Sequence, residues 1–532
     1  MPPSFTSFLG KRSLTLLLGF YGTAYAVALT CSRTFLFGYD AIVGLLIANA
    51  THRYHTFNTL FFPAVDDLAR EQSVFVTWWT PGQYVFQLAA KTLLNLTYET
   101  STKLLVWICL ISGLAGYAAL FRRLGFTQRT AFWAISYSGL FAFGTGLVDI
   151  YVGGDNLLWA YAPWFFSFAL AGRANIGHGI ALVAAAFLGF LLKAAFVPIA
   201  LAGFLLFAYR RLESTASATG TISLRAWLHT GLVFTISSAI FLVFTRGLFL
   251  SLGPGISSIS RPTGFAVRQF VFPLVAPLLS ALQMPFINRT AEWLVLLPVA
   301  LYMLIRLMHT SAARPNYRFL LLTTTAVYSV FFSMLYCRGY DVSYELRHFR
   351  FPAMLWIPIF FVWLSATSGI RRTTGIALLA IATLLGIGGT WKLYGREVPT
   401  GIVDSSTPGL LAGYHSESLT CLRHIDTSEP GLTLFLHPDL MRLALAIEHN
   451  DYFIIDNFIC YQFDDGRMTS KILRHRRPQM ALLVPHDYDQ VSDPDRIFSR
   501  FADIPAWTLV QRTHDFVLYR AQELLPSKGD VQ

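Results

Sequence analysis

A chain of 532 residues that is 54% hydrophobic and only 13% charged, with mean hydropathy +0.50, belongs to the membrane class rather than to soluble globular proteins. The formal charge of +11 is lopsided: residues 1–391 hold 27 Lys or Arg against 11 Asp or Glu, whereas 392–532 hold 14 against 19. Positive charge gathered in short connections between apolar runs orients membrane helices, so no nucleic-acid partner is expected.

Apolar runs that can cross about 30 Å of hydrocarbon fall near 14–31, 103–121, 130–148, 156–172, 226–248, 292–308, 317–336, 352–368 and 374–391. The stretch 176–209 is too long for one helix and is read as a short pair, 178–192 and 195–209, broken at Lys193. The expectation is therefore an α-helical polytopic membrane protein of about eleven transmembrane helices, with an uncleaved first helix following Lys11 and Arg12. With that count, Lys11, Arg12, Arg122, Arg123, Arg129, Arg173, Arg210, Arg211, Arg225, Arg306, Arg314, Arg318, Arg371 and Arg372 all fall on one side, expected to be cytoplasmic with the N-terminus. Ten of the eleven acids of residues 1–391 fall on the other side, an asymmetry that helix orientation does not require.

Two connections on the acidic side are long. Loop 32–102 is expected to hold amphipathic helices at 40–50 and 82–94, the second opened by Pro81, and loop 249–291 a broken surface helix interrupted by Pro273, Pro277 and Pro285. Residues 1–391 thus form the membrane module, and 392–532 read as a small C-terminal α/β domain on the extracytoplasmic side. Within it, strands are expected at Leu432–Leu436 and Met480–Val484, a helix at Leu440–Glu448, and a hairpin from Trp507–Gln511 and Phe516–Tyr519. The five cysteines show no metal-ligand spacing; Cys421 and Cys460 are either a bridge in an oxidising compartment or two free thiols.

Several polar groups stand at helix ends on the acidic side. Asp40 is either a helix N-cap or a general base, and Asp149 and Asp155, bracketing Ile150–Gly154, either cap the fourth span or face a site. Lys193, flanked by Leu191, Leu192, Ala194 and Ala195, must snorkel or meet an anion. The run Tyr344-Glu345-Leu346-Arg347-His348-Phe349-Arg350 packs two guanidinium groups, suited to bidentate phosphate contacts, in front of a helix. Trp78 and Trp79, before Pro81 and Tyr84, either anchor at an interface or stack on a sugar face. No phosphate loop, HExxH or GxSxG pattern occurs.

The order of these features resembles the GT-C superfamily of membrane glycosyltransferases, in particular the bacterial dolichyl-phosphate-mannose transferase-like and aminoarabinose transferase-like enzymes. The matching positions are Asp40 after the first span, then Trp79 with Pro81 and Tyr84, Asp155 with Leu157 and Leu158, Lys193, and Arg347 with Pro352. The chain departs from the family pattern at Asp40-Ala41, where Asp-Glu is frequent, and at His348, where Tyr is commoner.

The resemblance implies transfer of a sugar from a polyprenyl-phosphate donor to a glycan, lipid or protein acceptor on the extracytoplasmic side, in a bacterial inner membrane, with inversion at the anomeric carbon. Asp40 is expected as base, with Asp66, Asp67 and Asp155 as alternatives, and Asp155 or Asp149 as an orienting acid. Arg347, Arg350, Lys193 and His348 are expected at the donor phosphate, and Trp78, Trp79, Tyr84, Asp66, Asp67 and Glu345 at the substrates. No metal ligand set is expected, though carboxylate pairs leave room for a divalent cation, Mg²⁺ or Mn²⁺. The rival reading is a multi-pass transporter or lipid flippase.

Overall fold

The computed structural model describes residues 11–31, 39–63, 71–77, 79–146, 154–171, 175–219, 223–253, 264–282, 290–308, 315–340, 342, 344–396, 411, 414–455, 479–486 and 506–521. Asp66, Asp67, Trp78, Asp149 and Cys460 lie outside them.

Helices occupy all eleven of the intervals marked by hydropathy. They are α1 (Lys11–Cys31), α4 (Tyr98–Arg123), α5 (Gln128–Gly146), α6 (Asp155–Ala171), α7 (Ile176–Leu192), α8 (Val197–Thr219), α9 (Leu224–Leu248), α11 (Thr290–Met308), α12 (Pro315–Cys337), α13 (Arg350–Ala366) and α14 (Gly369–Arg396). Among the described residues six helical stretches are long and apolar enough to cross a membrane: 13–30, 98–123, 194–214, 224–252, 315–337 and 346–366. The pair α7 and α8 is broken as expected. Pro198, in the first turn of α8, has no N–H to offer the Ala194 carbonyl and so marks a helix start rather than a continuation.

In lipid, helices associate through close packing and hydrogen bonds rather than through the hydrophobic effect. Gly113 and Gly116 supply the first on α4: a Cβ at either position would run into Trp159 or into Pro163 and Trp164 of α6. Aromatic hydroxyls and indoles supply the second. Tyr25 Oη donates to Gly139 O at 2.7 Å and Trp107 Nε1 to Gly22 O at 2.8 Å, tying α1 to α5 and α4, while Tyr317 Oη donates to Leu355 O at 2.5 Å between α12 and α13.

Two elements differ from expectation. Helix α2 (Tyr39–Tyr54) is not amphipathic, because every residue from Ala41 to Ala50 is buried. The sequence AIVGLLIANA is apolar nearly all round, the signature of a core helix. Likewise α10 (Arg268–Ala281) does not lie on the surface but is buried against α11, α12 and α13. Pro277 has no N–H for the Pro273 carbonyl, and Ser329 of α12 donates its hydroxyl there at 3.4 Å, so the helix carries its prolines inside the bundle.

The other outer-loop elements are a hairpin of β1 (Thr59–Pro63) with β2 (Glu71–Phe75) and the helix α3 (Val85–Leu94), which begins after a 3-10 turn at Pro81–Gln83. The C-terminal residues form α15 (Ser416–Ser428) and β3 (Thr433–Leu436), β4 (Asp451–Ile454), β5 (Met480–Pro485), β6 (Trp507–Arg512) and β7 (Phe516–Ala521). These five strands make one mixed sheet of order β4-β3-β5-β7-β6, with β3 parallel to both neighbours and β6–β7 the antiparallel hairpin. The segment expected as a helix at 440–448 is a 3-10 run, Pro438–Ala446.

The sheet is fastened to α2. Arg53 donates to the carbonyls of Ile447 and Asn450, Tyr54 Oη donates to Asp451 Oδ1 at 2.5 Å, and Asn49 Nδ2 donates to Tyr452 Oη at 2.8 Å. Thus α2, with Asp40 in its first turn, packs against α3, β1 and the Pro438–Ala446 run.

Candidate active site

Each charged group of the site is delivered by a break in helical structure. Asp40 stands in the first turn of α2, where free N–H groups favour a carboxylate. Asp155 is the first residue of α6, and Gly154 before it has φ +80°, a left-handed turn that a side chain would strain. Lys193 is extended, with φ −160° and ψ 132°, between the last residue of α7 and the 3-10 turn Ala194–Phe196 that leads into α8. Arg347 lies in a 3-10 turn, Leu346–Phe349, and Pro352 in the first turn of α13 lets the helix start there.

These segments, far apart in sequence, meet. Lys193 Nζ donates to Asp155 Oδ1 at 2.5 Å, with the two side chains only 12% and 5% exposed. Arg347 Nη1 stands 3.8 Å from Asp155 Oδ2 and its Nη2 3.9 Å from Asp40 Oδ2, ion pairs longer than hydrogen bonds. Its Nε is paired with Glu345. Arg347 Nη1, Asp155 Oδ2 and His348 Nε2 are buried polar atoms that no protein group hydrogen-bonds. The His348 ring packs on Phe332, in the field of Asp155, Lys193, Arg347 and Glu345.

Asp40 has about a third of its side chain exposed. Burial pushes its carboxyl above the ordinary carboxylate range, against the pull of Arg347 and Lys193.

The Pro81–Gln83 turn locks this arrangement. A Cβ on Gly82 would come within 2.8 Å of the Leu191 carbonyl oxygen and collide with the Leu192 backbone, while Gln83 packs on Gly154. The turn therefore touches the residues immediately before both Lys193 and Asp155. Tyr84 is fully buried beside Gly44 of α2, and the Trp79 carbonyl accepts from Asn58 Nδ2 at 3.2 Å. Tyr84 packs on α2, whereas Trp79 and Arg350, the first residue of α13, are half-buried.

Sequence reading missed two contributors. Gln83, almost completely buried, reads as an ordinary polar loop residue. Arg268, from the long second loop, lies over the Tyr344 ring at 5.3 Å, and Tyr344 in turn stacks on Tyr336 at 4.2 Å. Its only sequence signal was a basic residue on the acidic side next to an apolar segment.

Among the described residues, no three of His, Cys, Asp or Glu come together as ligands for a metal. Asp155 and Asp40 each face a cationic side chain. Cys421 donates to Gln511 Oε1 at 3.3 Å.

No family model matches the sequence, and no curated protein matches it in sequence. Solved structures do resemble it. ArnT from Cupriavidus metallidurans bound to undecaprenyl phosphate aligns with a TM-score of 0.52 and 12% identity over 95% of this chain and 97% of that one. The same protein in the apo state aligns with a TM-score of 0.52 and 14% identity over the same shares. The archaeal oligosaccharyltransferase AglB from Archaeoglobus fulgidus, in complex with an inhibitory peptide and a dolichol-phosphate, aligns at 0.48 and 12% identity over 92% of this chain and 71% of that one. The chain thus shares the overall fold of ArnT.

Proposed function

We propose that this chain transfers a sugar from a polyprenyl-phosphate donor to an acceptor hydroxyl at the extracytoplasmic surface, by a single inverting displacement. The observation that carries the reading is the convergence of Asp40, Asp155, Lys193 and Arg347 at one end of the helices. A carboxylate about a third open, beside two largely buried cations, is what attack by a hydroxyl on a phosphate-bound anomeric carbon needs.

In this reading Asp40 takes the acceptor's hydroxyl proton as the oxygen bonds to the anomeric carbon. The bond from that carbon to the phosphate oxygen breaks, and its electron pair leaves with polyprenyl phosphate. Arg347 and Lys193 meet the charge that builds on this phosphate, with Arg350 and His348 alongside. Arg347 Nη1 and His348 Nε2, buried without hydrogen-bond partners in the protein, are ready donors for its oxygens. Asp155, which holds Lys193 at 2.5 Å, is read as the positioning acid rather than the base. Glu345 holds the Arg347 guanidinium until the donor arrives. Asp66, Asp67 and Asp149 are kept as acceptor-side acids, and Trp78 and Trp79 as the aromatic edge of the acceptor path.

The same reading places about eleven spans in the membrane, the N-terminus in the cytoplasm of a bacterial cell, and 392–532 as an outer domain that shapes acceptor choice. It requires no divalent cation, since Lys193 and Arg347 supply the positive charge at the leaving group. The test is sugar transfer in proteoliposomes loaded with a defined polyprenyl-phosphate sugar. Asp40→Asn and Arg347→Ala are each expected to abolish transfer in protein that still inserts. Undiminished transfer by Asp40→Asn would move the base to Asp66, Asp67 or Asp155.

A further inference from the structure

At the other end of the bundle from the charged cluster, a cavity of about 580 Å³ opens between α5, α13 and α14. Its wall is apolar, with Trp133, Leu140, Phe361 and Ile376, and its mouth carries Arg129 and Arg372, with the hydroxyls of Thr130 and Ser365 also lining it. Half-exposed side chains such as Trp133 and Ile376 face outward from the helices, so the space is open to the surrounding medium rather than sealed.

Charge makes this groove unlike its neighbours. The sequences of α5, α13 and α14 contain no Asp or Glu at all, and no acid lines the cavity. Arg129 and Arg372, both exposed, therefore have no carboxylate on any of the three elements that form the groove. A second cavity of about 550 Å³ between α7, α8 and α9 likewise has no acid in its lining, but it carries a single arginine, Arg211, where this groove carries two.

We propose that the groove between α5, α13 and α14 binds one anionic phospholipid, its acyl chain against the apolar wall and its phosphate at Arg129 and Arg372. Charge complementarity selects the occupant: two guanidinium groups at a membrane surface recognise a lipid phosphate in the absence of any protein acid. A zwitterionic lipid offers the same phosphate together with a cation that the two arginines repel. The inference rests on the chain being a membrane protein and is independent of the transfer chemistry at the opposite end.

The test is native mass spectrometry of the full chain released from nanodiscs of phosphatidylcholine containing a minority of phosphatidylglycerol. The wild-type protein should retain one phosphatidylglycerol in preference to phosphatidylcholine. Each of Arg129→Gln and Arg372→Gln should weaken retention about fivefold, and the pair about 30-fold, at the usual attraction of one membrane-surface arginine for anionic lipid. Ile376→Trp, which fills the wall and leaves both arginines, should expel the lipid too, whereas Arg225→Gln, an exposed arginine outside the groove, should leave it in place. Equal retention of the two lipids by the wild type, or undiminished phosphatidylglycerol in the double variant, would overturn the proposal.

Discussion

Removing Lys193 while leaving Asp155 in place isolates the most deeply buried contact of the site. In Lys193→Met the Asp155 carboxylate, 5% exposed, loses its 2.5 Å partner and keeps only Arg347 Nη1 at 3.8 Å. Breaking a buried ion pair from one side costs about 3–5 kcal/mol, mostly because the remaining charge stays desolvated. The distant Arg347 compensates in part, so about 3 kcal/mol is expected. Asp155→Asn should cost a similar amount by stranding the ammonium. The double variant, with both charges gone and the volumes roughly kept, should recover at least about 2 kcal/mol relative to the sum of the singles. Reversible unfolding in mixed micelles, run as a double-mutant cycle, measures this coupling. Strictly additive single effects would refute the claim that these two side chains form one electrostatic unit, and with it the positioning role given to Asp155.

Four further outcomes follow from the geometry. Because burial raises the Asp40 carboxyl, the acid limb of kcat/KM against pH should lie above the ordinary carboxylate range, and Arg347→Gln should move any residual limb higher still by removing the charge that pulls it down. The sign for stability runs the same way. A carboxyl raised in the folded state favours folding when protonated and loses that contribution as pH rises, so Asp40→Asn should be at least as stable as the wild type at neutral pH, as its melting temperature would show. On α15, burial alone would raise Asp426, but the backbone N–H groups of Glu448, Asn450 and His449 outweigh it and hold the carboxyl below its usual value. Its contribution is present above the unfolded carboxylate range and lost as pH falls through the folded one. Asp426→Asn should therefore cost about 1–3 kcal/mol at pH 7, read from hydrogen exchange of the 447–450 turn, and less as the pH is lowered. Finally, since Lys193 and Arg347 supply the cationic charge, sugar transfer should survive exhaustive chelation with EDTA.

Much of the helical frame was legible because lipid demands long apolar runs and because arginine marks the connections, as at Arg122, Arg123, Arg371 and Arg372. Asp40, Asp155, Lys193 and Arg347 could be named for a related reason: a charge beside an apolar run is costly, so it stands out. Their pairing could not be named. That Lys193 reaches Asp155 depends on the break at Pro198 and on the wedge of Gly82 and Gln83 against α7 and Gly154, contacts between distant segments that periodicity does not encode. The same holds for α2 and α10. A loop helix reads as amphipathic until the C-terminal residues are seen bonded to α2, and prolines read as breakers of a surface helix until Ser329 is seen satisfying the carbonyl that Pro277 leaves free.

Under the proposed function a lipid-linked sugar is cleaved, and its sugar transferred, at the Asp40–Arg347 end of the bundle. Purified protein in liposomes containing a defined polyprenyl-phosphate sugar and an acceptor should release one polyprenyl phosphate for each glycoside formed, quantified by mass spectrometry. The anomeric configuration of the product, read by NMR, should be opposite to that of the donor. Passage of intact donor or sugar across the bilayer with no polyprenyl phosphate released would make the chain a transporter instead.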